Sequence, residues 1–306
     1  MKWLVNGANS FSGKAFCSHL KRIGEEVVEL TRKQFDMNTR MDNIRFALHG
    51  AQPDYVVNFA ALNVVADSWA HYDDYYRTNV VGVAQLVREC ARLPSMKRFI
   101  QVSTPEVYGA TQTFQHEAAP YNPSTPYAVS RAACDMDLMA LHKTYGLPVN
   151  IMRSVNVYGK DQQPYRIIPK TVLKILRGEK LMLEGGGVST RSFIHIDDVA
   201  RSIVAVANDG KAGEIYHTST PGQIGIRDLV LGICQLLEVP FDDVTETAPE
   251  RPGKDMAYQL SSTKIFRDTN WTPRIKLWDA LPDVVAWFKA HAANYKDHSL
   301  EYEHRR

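Results

Sequence analysis

The chain has 306 residues, with 36 Lys and Arg set against 34 Asp and Glu, for a formal charge of +2. That length suits one large α/β unit or two modest domains around a sizeable core. So even a balance lacks the footprint of a nucleic-acid or membrane-surface binder, and no apolar run approaches the roughly 18–20 residues of a membrane span.

Trp3-Leu4-Val5 is short and apolar and reads as a first strand, followed by a Gly/Asn/Ser turn and a helical pattern through Phe16 and Leu20 to Ile23. Glu26 to Leu30 and Tyr55-Val56-Val57 read as the next strands, with a long helix from about Tyr72 to Ala91. An apolar run from Arg98 to Val102 precedes a second long helix, Pro126 to Tyr145, which Gly146-Leu147-Pro148 stops; Val149 to Met152 is another strand. Such alternation predicts a Rossmann-type doubly wound parallel sheet with helices on both faces. After Gly159 the segments shorten, with Pro164, Pro169, Gly185-Gly186-Gly187 and Pro252-Gly253 marking turns. Helices are expected near Pro169–Arg177, Asp198–Ala207, Ile226–Leu237 and Leu277–Ala290. The expected organisation is a dinucleotide-binding domain over 1–160 and a smaller C-terminal substrate-binding lobe over 161–295, partly interleaved with it. The polar residues 296–306 are expected to form a disordered tail.

Cys17, Cys90, Cys134 and Cys234 stand far apart and form no CxxC pair, which reads as buried thiols in a reducing, cytoplasmic setting. The opening MKWLVNGANSFSGK has no long apolar core of a signal peptide. His195 in FIHIDDV reads as a cap on the following helix, and no metal site is expected.

Between the first strand and first helix lies Gly7-Ala8-Asn9-Ser10-Phe11-Ser12-Gly13. Small residues there let the backbone approach a pyrophosphate, and the helix start offers free N–H groups to it. Gly7, Asn9, Ser10, Phe11, Ser12 and Gly13 are therefore candidate cofactor residues, with Ser10 in place of a middle glycine and able to donate to phosphate. At the end of the second strand, Thr31 stands where an NAD site usually presents an acid, and Arg32 and Lys33 follow. Two cations suit a 2′-phosphate, so NADP(H) is favoured with NAD(H) as the alternative, and Asp36 is a candidate for the adenine edge. The plain alternative is a solvated basic loop.

QVSTPEVYG, Gln101 to Gly109, ends a buried strand in hydroxyls, a proline and a carboxylate. Strand-end turn chemistry is one reading; a site at the strand's carboxyl edge is the other. In PSTPYAVSR, Tyr127 and Arg131 are four residues apart and share a helix face. A cation beside a phenol favours the phenolate and makes tyrosine a usable acid–base. An ordinary surface pair would share this spacing.

The glycine turn, NFAA (Asn58 to Ala61), TNVVG (Thr78 to Gly82), ST-x-EVYG and PYAVSR occur in the order of the extended short-chain dehydrogenase/reductase family, which the chain resembles. RSVNVYG (Arg153 to Gly159), RSFIHIDDVARSI (Arg191 to Ile203) and ERPGKDMAYQLSSTKI (Glu250 to Ile265) are similar to its dTDP-glucose 4,6-dehydratase branch. The resemblance implies a nucleotide-diphosphate sugar as substrate, with Ala60, Ala61 and Asn79 joining the cofactor site. It implies that Tyr127 takes the C4 hydroxyl proton during hydride transfer, with Thr104 bonding the same oxygen. Glu106 would then remove the C5 proton, water would leave from C6, and hydride would return there. Arg131 would bind the nicotinamide ribose, and Asn156, Arg166, Arg191 and Arg251 the substrate. A homodimer through the two long helices is a further implication.

Three departures stand out. The branch carries Thr-Asp-Glu where this chain has Thr104-Pro105-Glu106, lysine where it has Arg131, and a Glu-Ser-His-Val-Asp type segment where it has Leu62 to Asp67. Without that aspartate, either Glu106 both removes and delivers protons or no elimination occurs. An NDP-4-ketosugar reductase or epimerase is the first alternative function. A non-catalytic dinucleotide-binding regulator is the second.

Overall fold

In the computed structural model, the residues described are 1–37, 42–111, 113–250 and 257–304. The N-terminal half runs β1 (Lys2–Asn6), α1 (Phe11–Arg22), β2 (Glu26–Leu30), α2 (Asp42–Ala51), β3 (Tyr55–Asn58), α3 (Tyr72–Tyr76), α4 (Val83–Cys90), β4 (Arg98–Ser103), β5 (Phe114–Gln115), α5 (Pro126–Tyr145) and β6 (Val149–Ser154). The sequence reading missed α2. The long helix expected from Tyr72 is a continuous rod whose middle, Arg77–Gly82, widens to π-helical geometry. Such a bulge re-aims side chains without ending the helix and is frequent at functional sites.

Helix α5 shows why its ends fall where they do. Thr125 caps it, accepting from Ala128 N–H at 3.2 Å, Pro126 fills the first turn, and Gly146 closes it in the left-handed region at φ 68°.

The chain continues with β7 (Asn156–Tyr158), α6 (Ile167–Leu176), β8 (Leu181–Glu184), β9 (Thr190–Arg191), β10 (Phe193–His195), α7 (Ile196–Asp209), β11 (Ile215–Thr218), β12 (Ile224–Gly225), α8 (Ile226–Leu236), α9 (Phe241–Val244), β13 (Thr245–Ala248), β14 (Gln259–Leu260), α10 (Thr263–Thr269) and α11 (Leu277–Ala290). Six strands form one parallel sheet in the order β11-β6-β4-β3-β1-β2. The winding reverses between β1 and β3, which opens a crevice at the carboxyl ends of those two strands. Short two-stranded pairings, β10 with β7 and β13 with β8 among them, build the smaller lobe.

Two apolar layers sandwich the sheet. One joins Trp3, Val5, Phe16 and Ile100 to Val199, Ile203 and Val206 of α7; the other joins Leu4, Val56 and Phe99 to Leu86, Val87 and Leu138. A third cluster, including Phe193, Leu229, Leu281, Phe288 and Leu300, is the core of the lobe. The chain is therefore interleaved: β11 and α7 return to the main sheet after the lobe has begun. The expectation of a disordered tail is corrected in part. Leu300 is 5% exposed in the lobe's core, and residues up to 304 are placed.

Asp198, fully buried at the start of α7, ties the return segment down. Its Oδ2 accepts the amides of Arg274 and Ile275, each at 2.9 Å, and its Oδ1 pairs with Arg201. Removing it strips two backbone amides and the Arg201 guanidinium of their acceptor. Asp198→Ala is expected to lower stability by about 3 kcal/mol, read as a lower urea midpoint at unchanged slope. A shift under about 0.5 kcal/mol, the range of a neutral surface change, would show the segment is held by other means.

Candidate active site

The turn after β1 is set by close backbone approach. Gly7 has φ +79°, and a Cβ there would lie 2.8 Å from Ala60 N; a Cβ on Gly13 would overlap Gly7's carbonyl oxygen. Gly7 and Ala8 amides both bond Leu30's carbonyl, at 2.9 and 3.0 Å, so the turn is pinned to the end of β2. Ser10 is the N-cap of α1, and its Oγ accepts Gly13 N–H at 3.1 Å. The serine's oxygen thus satisfies one helix-terminal amide, while the amides of Phe11 and Ser12 begin a helix and lack an i−4 partner by geometry. Phe11 packs into the core beneath the turn, and Asn9 is exposed above it.

Beneath the crevice runs a row of buried amides that the sequence reading did not single out as a unit. Asn6 donates to Asn58 Oδ1 at 2.8 Å, and Asn58 donates to Gln101 Oε1 at 2.9 Å. These residues are in register across β1, β3 and β4. Asn58 also accepts Ala60 N–H at 3.2 Å, which fixes the Ala60-Ala61 wall opposite Gly7. The signal was present: each is a polar residue at or near the end of an otherwise apolar strand.

At the end of β2, Thr31 is occupied by Gln34, whose Oε1 accepts both its amide and its hydroxyl at 2.9 Å. Arg32 pairs with Asp36 at 3.0 Å. Its charge is therefore partly countered by a carboxylate four residues on, and Asp36 is drawn to Arg32, not held open for an adenine edge. Lys33 is exposed beside them.

The chemistry-bearing side chains meet at the carboxyl end of β4. Thr104 leaves the strand and caps the short 3-10 turn Pro105–Tyr108, its hydroxyl accepting Glu106 N–H at 3.3 Å. Pro105 is buried at the first position of that turn, where its fixed φ is an advantage. Tyr127, 7% exposed, faces this turn from the second residue of α5. Burial raises the pKa of its phenol. Arg131 opposes that rise, Glu106 adds to it, and a hydrogen bond with Thr104 and the charge of Arg166 oppose it. These five groups thus lie within electrostatic reach of one another. The cation expected to favour the phenolate is in place, but burial outweighs it and the phenol's pKa is raised overall.

Arg131 is 2% exposed. Its Nη2 donates to Val102's carbonyl, while Nε and Nη1 are buried with no partner. Two unspent donors of a buried guanidinium call for a polar ligand. Asn79 has a different place: its Oδ1 accepts Leu62 N–H at 3.0 Å, and its amide donates to Leu62's carbonyl at 2.9 Å and to Ser130 Oγ at 3.0 Å. Its hydrogen bonds go to protein, so it acts as a strut behind the wall.

On the far side, Asn156 Oδ1 accepts from the hydroxyl of Tyr258 at 2.5 Å, and the Arg191 guanidinium lies 4.8 Å from the centre of that ring. The Tyr258 phenol is pushed well up by burial and then by Glu106, with Arg191, Tyr127 and Arg166 also in reach. Tyr258, in the AYQL stretch, is a member of the cluster that sequence reasoning missed. Arg166 donates to Asn63's carbonyl at 3.4 Å, linking the lobe to the Leu62–Asp67 wall. Arg251 lies outside the described residues.

That wall is latched by the chain's end. His304 bonds Asp67 through Nδ1 at 2.7 Å and Asp74 through Nε2 at 2.9 Å, and its ring stacks 3.8 Å from that of His71. His71 pairs with the other oxygen of Asp67 at 3.0 Å. Asp67, His71 and His304 bring ligand-type atoms within 4.8 Å of one another. In this arrangement both nitrogens of His304 are taken by carboxylates, and the two rings lie parallel, 7° apart. One ion cannot lie in the planes of two stacked rings, so the geometry is that of an ion-paired latch. Tyr75 connects it to the site: its hydroxyl bonds Val64's backbone and Asp67, and its ring meets Tyr127 edge-on at 6.2 Å.

Comparison with known proteins agrees with this geometry. A family model described as the NAD dependent epimerase/dehydratase family matches residues 3–218. The chain belongs to this family. A dTDP-glucose 4,6-dehydratase from Streptomyces niveus is 34% identical over 241 residues, 78% of this chain and 71% of that protein. A trifunctional UDP-glucose 4,6-dehydratase/3,5-epimerase/reductase from Arabidopsis thaliana is 32% identical over 239 residues, and the matched region spans only 36% of its length. Among solved structures, a dTDP-glucose 4,6-dehydratase from Streptomyces venezuelae with NAD and TYD bound superposes with a TM-score of 0.87 at 29% identity, covering 96% of this chain and 98% of that one.

The family's dinucleotide fits the residues present: a turn at which Gly7 and Gly13 hold the helix start close to the strand ends, where a Cβ would strike backbone, and buried guanidinium donors on Arg131 without partners. The expected preference for NADP is not supported. The Streptomyces venezuelae structure holds NAD, and the ion pair with Asp36 accounts for Arg32. No helix among the described residues is long and apolar enough to cross a membrane.

Two outcomes follow. Gly13→Ala should weaken NAD binding by at least about tenfold by calorimetry, since the cradle backbone must move to admit the methyl; unchanged affinity would show the turn is not the cofactor's seat. For His304, burial lowers the pKa, but bonds to Asp74 and Asp67 outweigh it and leave the pKa raised. A raised histidine stabilises fully below its unfolded value, about 6.5, and loses that contribution as pH climbs through the folded value. Limited proteolysis of the tail should therefore accelerate from pH 6 to pH 8.5, and His304→Ala should be cleaved rapidly at both; a pH-independent wild type would contradict the latch.

Proposed function

We propose that the chain is an NDP-hexose 4,6-dehydratase that works with NAD(H). The observation that carries this is the meeting of Tyr127, Thr104 and Glu106 at one strand end, with Arg131 behind them and the Asn156–Tyr258–Arg191 group facing them. Kinship with dTDP-glucose 4,6-dehydratases supports the substrate class. The cofactor would sit over Gly7–Gly13, against Ala60 and Ala61, with Arg131 on its ribose. When bound, the nicotinamide would accept the hydride from C4 and return it to C6 after water has left, and in its oxidised form it would add a positive charge.

The residues of the chain do the rest. Tyr127 takes the proton of the C4 hydroxyl as the phenolate, a form that the charges of Arg131 and of the oxidised nicotinamide would favour, and Thr104 holds the same oxygen. A ketone at C4 acidifies the C5 hydrogen, which Glu106 removes as a general base. The protonated Glu106 is then the acid that delivers a proton to the departing C6 hydroxyl, a part that Pro105 cannot play. Asn156, Arg191 and Arg166, with Arg251, bind the nucleotide diphosphate by charge-assisted bonds.

The site is read as cytoplasmic, in keeping with four buried free thiols. A homodimer through α3–α4 and α5 is part of the reading, since Val81, Val129 and Met136 expose apolar surface there at 51%, 37% and 53%.

The pure protein is to be incubated with dTDP-, UDP-, GDP- and CDP-hexoses in buffered deuterium oxide. A 6-deoxy-4-keto product carrying deuterium at C5 is the expected result. Turnover only of a ketosugar with added NADH, or inversion at C4 without loss of water, would replace dehydration with reduction or epimerisation. Cofactor binding with no turnover would leave a regulator. Glu106→Gln should abolish C5 exchange, at least about 10³-fold, with the fold intact; full exchange in that variant would remove Glu106 from its role.

A further inference from the structure

We infer that the buried Asp135–Arg153 pair is a positioning device, clamping the Thr104–Glu106 turn at both ends and tying it to the helix that carries Tyr127. The inference rests on the dehydratase reading above. Tyr127, Arg131 and Asp135 follow one another at steps of four on one face of α5. Tyr127 faces Thr104, Arg131 bonds Val102's carbonyl, and Asp135 bonds Ser103, its Oδ2 accepting from Ser103 Oγ at 2.8 Å. One helix face is thus laid along three consecutive residues of the strand end.

Arg153 completes the clamp from β6, where it is the register neighbour of Ser103. Its Nε and Nη2 donate to the same Asp135 oxygen at 3.2 and 2.8 Å. Its Nη1 donates to the hydroxyl of Tyr108, the last residue of the Pro105–Tyr108 turn, and its Nη2 to that of Tyr121 at 2.5 Å. Tyr108 meets His217 Nε2 at 2.8 Å. Burial, then the charge of Arg153, hold His217 far below the ordinary histidine range, so its Nε2 is neutral and can accept from Tyr108. Ser103 and Tyr108 bracket Thr104 and Glu106, and both are held by one guanidinium–carboxylate pair.

As a stabiliser the pair is a poor choice. Both side chains are fully buried, and desolvation consumes most of what their attraction returns. Asp135 Oδ1 is also buried without a partner. What the pair supplies that apolar packing cannot is direction: fixed bonds to both ends of a turn that must present a hydroxyl and a carboxylate to one sugar ring.

The test uses Ser103→Ala, Tyr108→Phe and the double variant, which leave the ion pair in place. Each single change should lower kcat about tenfold with KM within about threefold, and the double should be little worse than the weaker single, because either cut frees the turn. Ser103→Thr should restore kcat. Amide hydrogen exchange at 106–109 should quicken at least about tenfold while 7–13 stays unchanged. Unchanged kcat, a loss carried by KM or by cofactor release, or unaltered exchange at 106–109 would overturn the clamp. A wild type that converts none of the nucleotide sugars defeats the dehydratase reading instead, and the exchange comparison still decides the clamp.

Discussion

The site depends on one face of α5 being buried against the end of β4. A helix face carrying a phenol, a guanidinium and a carboxylate at steps of four is costly to remove from water, and each group must find a partner. Tyr127 finds Thr104, Asp135 finds Ser103 and Arg153, and Arg131 finds only Val102's carbonyl. The incomplete member is the informative one. Its Nε and Nη1 are buried without a partner, so folding leaves an electrostatic demand that the protein's own atoms do not meet. The same logic governs the other wall, where Asn6, Asn58 and Gln101 satisfy one another and leave the backbone of Ala60 correctly placed.

Against that frame, the two substitutions at the centre of the site are compatible with its geometry. Pro105 begins the turn that Thr104 caps, and its ring favours the φ that turn requires. It takes an acid away but stiffens the carboxylate that follows. Arg131 keeps the charge of a lysine and adds a fork: one arm anchors the guanidinium to β4, and Nε and Nη1 are buried without a partner. At Tyr127 the Arg131 cation lowers the pKa while burial raises it by more.

The sequence was most legible where local rules and the fold agree. Alternating apolar runs gave the parallel sheet, and the Thr-Pro start and Gly stop of α5 gave that helix within a residue. The meeting of Thr104, Glu106 and Tyr127 was readable because they sit in short ordered motifs. Features that need two distant segments were not readable. Arg153 and Asp135 are 18 residues apart in sequence and meet only through sheet register. The latch joins His304 to Asp67 across 237 residues, so a polar tail looked frayed when its partners lay in another lobe. Arg32 misled because its cation was counted without the carboxylate four positions on, which spacing alone would have paired.

The four cysteines carry a last consequence. Each is buried, and burial drives its thiol toward the protonated form, Cys17 up to about 12. Alkylating reagents attack the thiolate, so the folded molecule offers them almost nothing. The sulfurs are spread over α1, α4, α5 and α8, one on each of four separate helices. The order in which they become labelled during slow unfolding would chart which layer of the molecule lets go first, a clock built into the chain without any added probe.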